Sequence, residues 1–185
     1  VMAVGGGITV WMLSGGSEKT VGVEPQNSPT TKPAGPAIPF GVGTGLFGMY
    51  YPNRDYGKAP TTRVDGEIDL RWEDKHLPIP QPADKAFAVT WVGEIEAVEA
   101  GNYEFQIAVD DGCRLFVGGS LVIDSWRDGG VESKTSDPIA MPFRGRLPIR
   151  LEYYNQGGPG ITRFKWLRPR RASYGYETVP KAHLY

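Results

Sequence analysis

Asp110 and Asp111 stand side by side, followed at once by Gly112. Two adjacent carboxylates serve two kinds of chemistry. They supply oxygen ligands to a hard cation such as calcium, which takes roughly 6–8 of them, or they cap turns by accepting backbone N–H bonds. The pair ends one alternating run, in which Tyr103, Phe105, Ile107 and Val109 interleave with Glu104, Gln106 and Ala108. It precedes another, in which Cys113, Leu115 and Val117 interleave with Arg114 and Phe116. Period-2 alternation predicts half-buried strands on both sides, so the carboxylates fall at a strand–strand junction. A second polar group, Trp126-Arg127-Asp128-Gly129-Gly130, follows shortly after. An exposed Trp126 beside a cation loop would stack on a sugar ring, with Arg127 and Asp128 as polar neighbours. The competing expectation is that Trp126 packs into the domain, because Trp is highly buried on average.

The elements that must hold these groups are strands. Phe87, Val89 and Trp91 alternate, as do Leu147, Ile149, Leu151 and Tyr153, and Thr162, Phe164 and Trp166. Gly118-Gly119 between Phe116-Val117 and Leu121-Val122 predicts a two-residue hairpin, since glycine supplies the positive φ of primed turns. Leu46–Tyr51 reads as an edge strand, and Thr62 to Trp72 contains a further strand with acidic turns. Many short strands without a sustained helical period predict an all-β, antiparallel β-sandwich. Its core is expected at Phe105, Ile107, Leu115, Ile149, Leu151, Phe164 and Trp166. Gly (25) and Pro (16) are abundant in the 185 residues, which fits a turn-rich β domain with an irregular extension.

Several motifs, in order, resemble the PA14 domain, a β-sandwich module of bacterial toxins, fungal adhesins and glycoside-acting enzymes. They are Gly45-Leu46-Phe47-Gly48-Met49-Tyr50-Tyr51, Thr90-Trp91-Val92-Gly93, Gly101-Asn102-Tyr103-Glu104-Phe105, Asp110-Asp111-Gly112 with Arg114-Leu115-Phe116-Val117, Pro148 to Asn155, and Phe164-Lys165-Trp166. The resemblance covers about residues 45–168. In calcium-dependent PA14 adhesins the peptide between the paired aspartates is cis, and a later asparagine with nearby carbonyls completes the shell. The resemblance therefore implies a Ca2+ site at Asp110, Asp111 and Asn155, with the loop Gly157–Gly160 as a source of carbonyls. Many members carry Asp-Gly where this chain has Gly118-Gly119, a change that touches turn chemistry.

Outside that body the sequence changes character. Residues 1–13 carry no charge. They are too short to span a bilayer, which needs about 20 apolar residues. They read as the end of a transmembrane helix or signal anchor, with Trp11 at the membrane boundary; a signal or tag remnant is the other reading. Residues 14–44 form an extended, Pro-rich linker, punctuated by Pro25, Pro29, Pro33, Pro36 and Pro39. Such a segment orders only against a partner surface. Residues 169–185 are expected as a C-terminal tail, either solvated or docked on a partner or anionic head groups.

Net charge −1 gives no reason to propose nucleic acid as a partner. One cysteine, Cys113, excludes an intrachain disulfide, and its phase with Leu115 predicts a buried thiol. His76 and His183 lack metal-ligand spacing, and there is no nucleophile elbow or phosphate loop. Adjacent carboxylates on one loop do not straddle a glycoside, whose hydrolysis needs them about 5–10 Å apart. These features predict a non-catalytic module. The expectation is a membrane-tethered structural or accessory subunit, its domain periplasmic or extracellular, held by residues 1–44 to integral membrane protein subunits. The alternative is a calcium-dependent carbohydrate-binding module.

Overall fold

The computed structural model describes residues 41–73, 79 and 86–185. The expected anchor and nearly all of the linker, with His76, lie outside the described residues. Among the described residues, twelve strands pair antiparallel into two sheets, and the only helical turns are short 3-10 turns at Ala172–Tyr174 and Lys181–His183. Numbered in chain order, the first sheet runs β2 (Thr61–Asp65), β1 (Leu46–Tyr51), β4 (Phe87–Glu96), β10 (Arg146–Asn155), β6 (Gly112–Val117), β7 (Ser120–Ser125). The second runs β12 (Glu177–Thr178), β11 (Gly160–Leu167), β5 (Gly101–Asp110), β8 (Glu132–Thr135). Its outer strands are split: β3 (Asp69–Trp72) shares the β11 edge with β12, and β9 (Ile139–Met141) shares the β5 edge with β8.

The alternating side chains of both sheets meet in one core. Phe105, Ile107, Leu115, Ile149, Leu151, Phe164 and Trp166 are all buried, as their phase predicts. Aromatic rings bridge the sheets: Trp72 of β3 stacks on Tyr153 of β10 with centroids 5.3 Å apart. Cys113 is buried within this layer, and burial pushes its thiol up to about 12. Gly118 and Gly119 both have positive φ, forming the expected hairpin between β6 and β7.

Three expectations change. Leu46–Tyr51 is not an edge strand: β1 lies between β2 and β4, and β2 is the edge. The stretch 62–72 is two strands in different sheets, β2 and β3, because the chain crosses over at Ile68, whose side chain is fully buried. Residues 177–185 are neither a solvated tail nor free to dock elsewhere; they pack on this same domain. Val179 and Leu184 are fully buried, and β12 extends the second sheet.

The chain end is fastened around one buried carboxylate. Tyr185 and Glu94 exchange backbone hydrogen bonds at 3.0 and 2.7 Å. Gly43 and Gly45 donate to the carbonyls of Ala182 and Leu184. Glu96, 2% exposed, accepts from the Gly41 N–H (2.8 Å), the Tyr185 hydroxyl (2.9 Å) and the Arg146 guanidinium (3.0 Å), and His183 lies 3.5 Å away. Burial raises the Glu96 carboxyl, but the Gly41, Arg146 and Tyr185 hydrogen bonds outweigh it and hold it below the usual carboxylate range.

Candidate functional site: the acidic pole

β10 is ten residues long, a span of about 30 Å at about 3.3 Å per step. Its first residue, Arg146, pairs with Glu96 at the clasp; its last, Asn155, pairs with Phe87 at the opposite pole. Asp110 and Asp111 lie at that second pole. β5 belongs to one sheet and β6 to the other, so the Asp110–Asp111 peptide is the crossing between sheets. That peptide is cis, as the PA14 resemblance implied.

The sequence places Asp111 between two candidate roles, and its oxygens show capping contacts. Its Oδ1 accepts from the Gly129 N–H at 3.0 Å and its Oδ2 from the Gln156 N–H at 2.7 Å. Asp111 thus ties the 126–130 loop to the 156–160 loop. Each carboxylate oxygen has a second lone pair, so both remain able to ligate. Asp110 differs: among the described residues no donor reaches its carboxylate. Burial and the neighbouring Asp111 charge push its pKa up.

Asn155 is 1% exposed and turned into its own loop. Its Oδ1 accepts from the Gly157 N–H (2.6 Å), and its Nδ2 donates to the Gly158 carbonyl (3.2 Å). The amide folds the Gln156–Gly160 loop over the pole. Two missing side chains make the packing possible. A Cβ on Gly160 would lie 2.3 Å from Asn155 Nδ2 and 2.5 Å from the Tyr153 hydroxyl; one on Gly112 would lie 2.2 Å from the Tyr154 ring.

These donors are all oxygen, which matches calcium better than a metal that prefers imidazole or thiolate. The partly buried Asp110 carboxylate, in the field of the neighbouring Asp111 charge, also favours a cation beside it. Among the described residues no group of three His, Cys, Asp or Glu could hold a metal, so the shell would need Asn155, loop carbonyls and water. On the donor chemistry and the undonated Asp110 carboxylate, the residues fit a hard divalent cation.

The second cluster is less open than its sequence implied. Trp126 is half-buried and packs edge-to-face on Tyr154, centroids 4.7 Å apart. The Arg114 guanidinium lies 4.9 Å from the Trp126 centroid, and Arg54 lies 4.6 Å from that of Tyr154. Both rings therefore already carry a cation, and a sugar stacking on either would have to displace one. Arg127 and Asp128 are exposed. Arg127 pairs with Glu132 (2.9 Å). Asp128 accepts from the Tyr154 hydroxyl (2.6 Å) and pairs with Arg54 (3.3 Å), which also reaches Gln156.

Sequence reasoning left out Arg54, Tyr153 and Tyr154 as contributors to this pole. Arg54 sits in the β1–β2 connection and reaches a partner 102 positions away, so no local pattern marks it. The tyrosines carried a usable signal. Two successive tyrosines before Asn155 must point to opposite faces of β10, one toward each loop system.

Comparisons with known proteins agree on the fold. The PA14 domain family matches residues 43–178. The anti-sigma-I factor RsgI3 of Acetivibrio thermocellus is 30% identical over 141 residues, which is 76% of this chain and 21% of that protein. A solved anti-sigma factor domain-containing protein aligns with TM-score 0.71 and 28% identity, over 78% of this chain and 48% of its own. A PA14 sugar-binding domain from an RTX adhesin aligns with TM-score 0.59 and 22% identity, over 77% of this chain and 98% of its own. The chain thus spans about a fifth of the length of the curated relative and about half that of the first structure.

Proposed function

The chain belongs to the PA14 domain family, and from that premise we propose that it is a non-catalytic accessory module of a larger membrane-tethered protein assembly, facing outside the cytoplasm, whose acidic pole takes Ca2+ through Asp110, Asp111 and Asn155. The observation that carries the cation reading is the Asp110 carboxylate. It is partly buried, next in sequence to a second carboxylate and, among the described residues, without a donor. A cation there would remove the repulsion and join the two loops that Asp111 and Asn155 already hold. The accessory reading draws on the similar proteins named as anti-sigma factors, of which the chain spans about a fifth in one and about half in the other. Residues 1–44 are the proposed link to membrane protein subunits.

Carbohydrate binding is the second reading, favoured by the exposed 126–130 loop hydrogen-bonded to Asp111 and by the adhesin relative named for sugar binding. In that reading Arg127 and Asp128 meet the ligand, and Trp126 contributes its uncovered edge. Calorimetric titration of calcium into the chelator-stripped full chain tests the cation, and a glycan array run with and without chelator tests the second reading. One binding site lost in D110N supports the first. Absence of any binding heat contradicts it.

A further inference from the structure

We propose that Tyr153 is the positioning residue of the acidic pole, its buried hydroxyl fixing the Asp110–Asp111 peptide so that both carboxylates hold one direction. The inference rests on the cation reading above and adds to it a residue that touches neither carboxylate.

Both ends of that peptide are hydrogen-bonded to consecutive residues of β10. At one end the Tyr153 hydroxyl donates to the Asp110 carbonyl at 2.6 Å. At the other the Asp111 N–H donates to the Tyr154 carbonyl at 3.3 Å. A peptide group held at its oxygen and at its N–H cannot rotate about its flanking bonds. The two Cα atoms from which the carboxylates depart are then held in place. The hydroxyl bond is the shorter of the two.

The phenol itself is rigidly seated. Tyr153 is fully buried, stacked on Trp72 and packed against Phe87 and Trp91 with centroids 5.3–6.4 Å away. Its hydroxyl fills the crevice that Gly160 leaves open beside Asn155. The core rings thereby lock a surface site through one oxygen atom. Outer-shell partners that orient ligands change metal affinity by roughly 10–100-fold when removed.

The test uses calcium itself, titrated by calorimetry into the chelator-stripped full chain as wild type, Y153F and Y50F. Tyr50 is the control. It is a buried tyrosine of β1 that pairs with the same residue, Val89, from the other side, and its hydroxyl bonds Asp65 rather than the acidic pole. Y153F is expected to weaken calcium binding about 10-fold or more, as removal of an outer-shell partner does. Y50F is expected to keep the wild-type affinity, while both variants melt lower than wild type in chelator. Equal affinity of Y153F and wild type overturns the inference, as does an equal loss in Y50F. No binding by wild type overturns the cation reading and this inference together, which separates the two failures. Should Y153F not fold, G160A decides. Its Cβ would crowd both that hydroxyl (2.5 Å) and the Asn155 amide (2.3 Å), and unchanged affinity there overturns the proposal.

Discussion

Asp110 and Asp111 set opposite demands on the same carboxylate chemistry. Asp111 is satisfied by two backbone N–H groups and serves as a tie between loops. Asp110 gains no such bond and sits in the field of its neighbour. Without a cation, Asp110 is a destabilising charge; with one, it is a ligand. D110N should therefore act with opposite sign in the two conditions. In chelator the variant should melt at or above the wild-type temperature, and in millimolar calcium it should melt below it. A differential scanning measurement of both proteins in both buffers checks the crossing. Asp111→Asn is expected to differ, because it weakens two charge-assisted hydrogen bonds, each worth about 1.5–3 kcal/mol. That variant should lose stability in both buffers.

At the scale of elements, β10 does most of the positioning. Its Tyr153, Tyr154 and Asn155 reach respectively the Asp110 carbonyl, Asp128 and the Gln156–Gly160 loop. G112A should expose this dependence. The new methyl would overlap the Tyr154 ring, and overpacking of this kind costs about 1–3 kcal/mol. Urea unfolding gives the loss, and Trp126 fluorescence should report the displaced ring. The acid pair was legible in the sequence because its two residues are neighbours at the join of two alternating runs. The core was legible for the same reason, since strand phase alone assigns Phe105, Leu115 and Phe164 to the inside. The Arg54 contacts were not, because they join residues that only the sheet order brings together. The same limit turned β1 into an apparent edge: strand order is a property of the whole chain, and Leu46–Tyr51 carries no local sign that β2 lies outside it.

The described domain has two poles. The acidic pair and its loops occupy one, and the Glu96 clasp, where residues 41–45 meet residues 182–185, occupies the other. The described chain thus begins and ends side by side, and the proposed recognition surface faces away from that point. The last residues escaped the sequence reading because Val179 and Leu184 are single apolar positions without a period, yet both are fully buried. Removing 179–185 should cost at least about 3 kcal/mol, since burying each such side chain is worth about 1.5–3 kcal/mol. Chemical denaturation of the shortened chain measures it. Glu96 makes the clasp acid-sensitive with a defined sign. Its folded pKa is depressed, so its contribution is complete above the ordinary glutamate value, about 4.3. That contribution is lost as pH falls through the lower folded value. E96Q should cost about 3 kcal/mol at pH 7, as breaking a buried pair does. The gap between E96Q and wild type should narrow below pH about 4.3, which melting temperatures across pH 3–7 would reveal.

The most direct measurement is calcium titration of the chelator-stripped full chain, with D110N alongside. A calcium site at Asp110 requires one calcium per chain in wild type, none in D110N, and a rise in wild-type melting temperature that D110N lacks. Identical behaviour of the two proteins, or no calcium response in wild type, would contradict it.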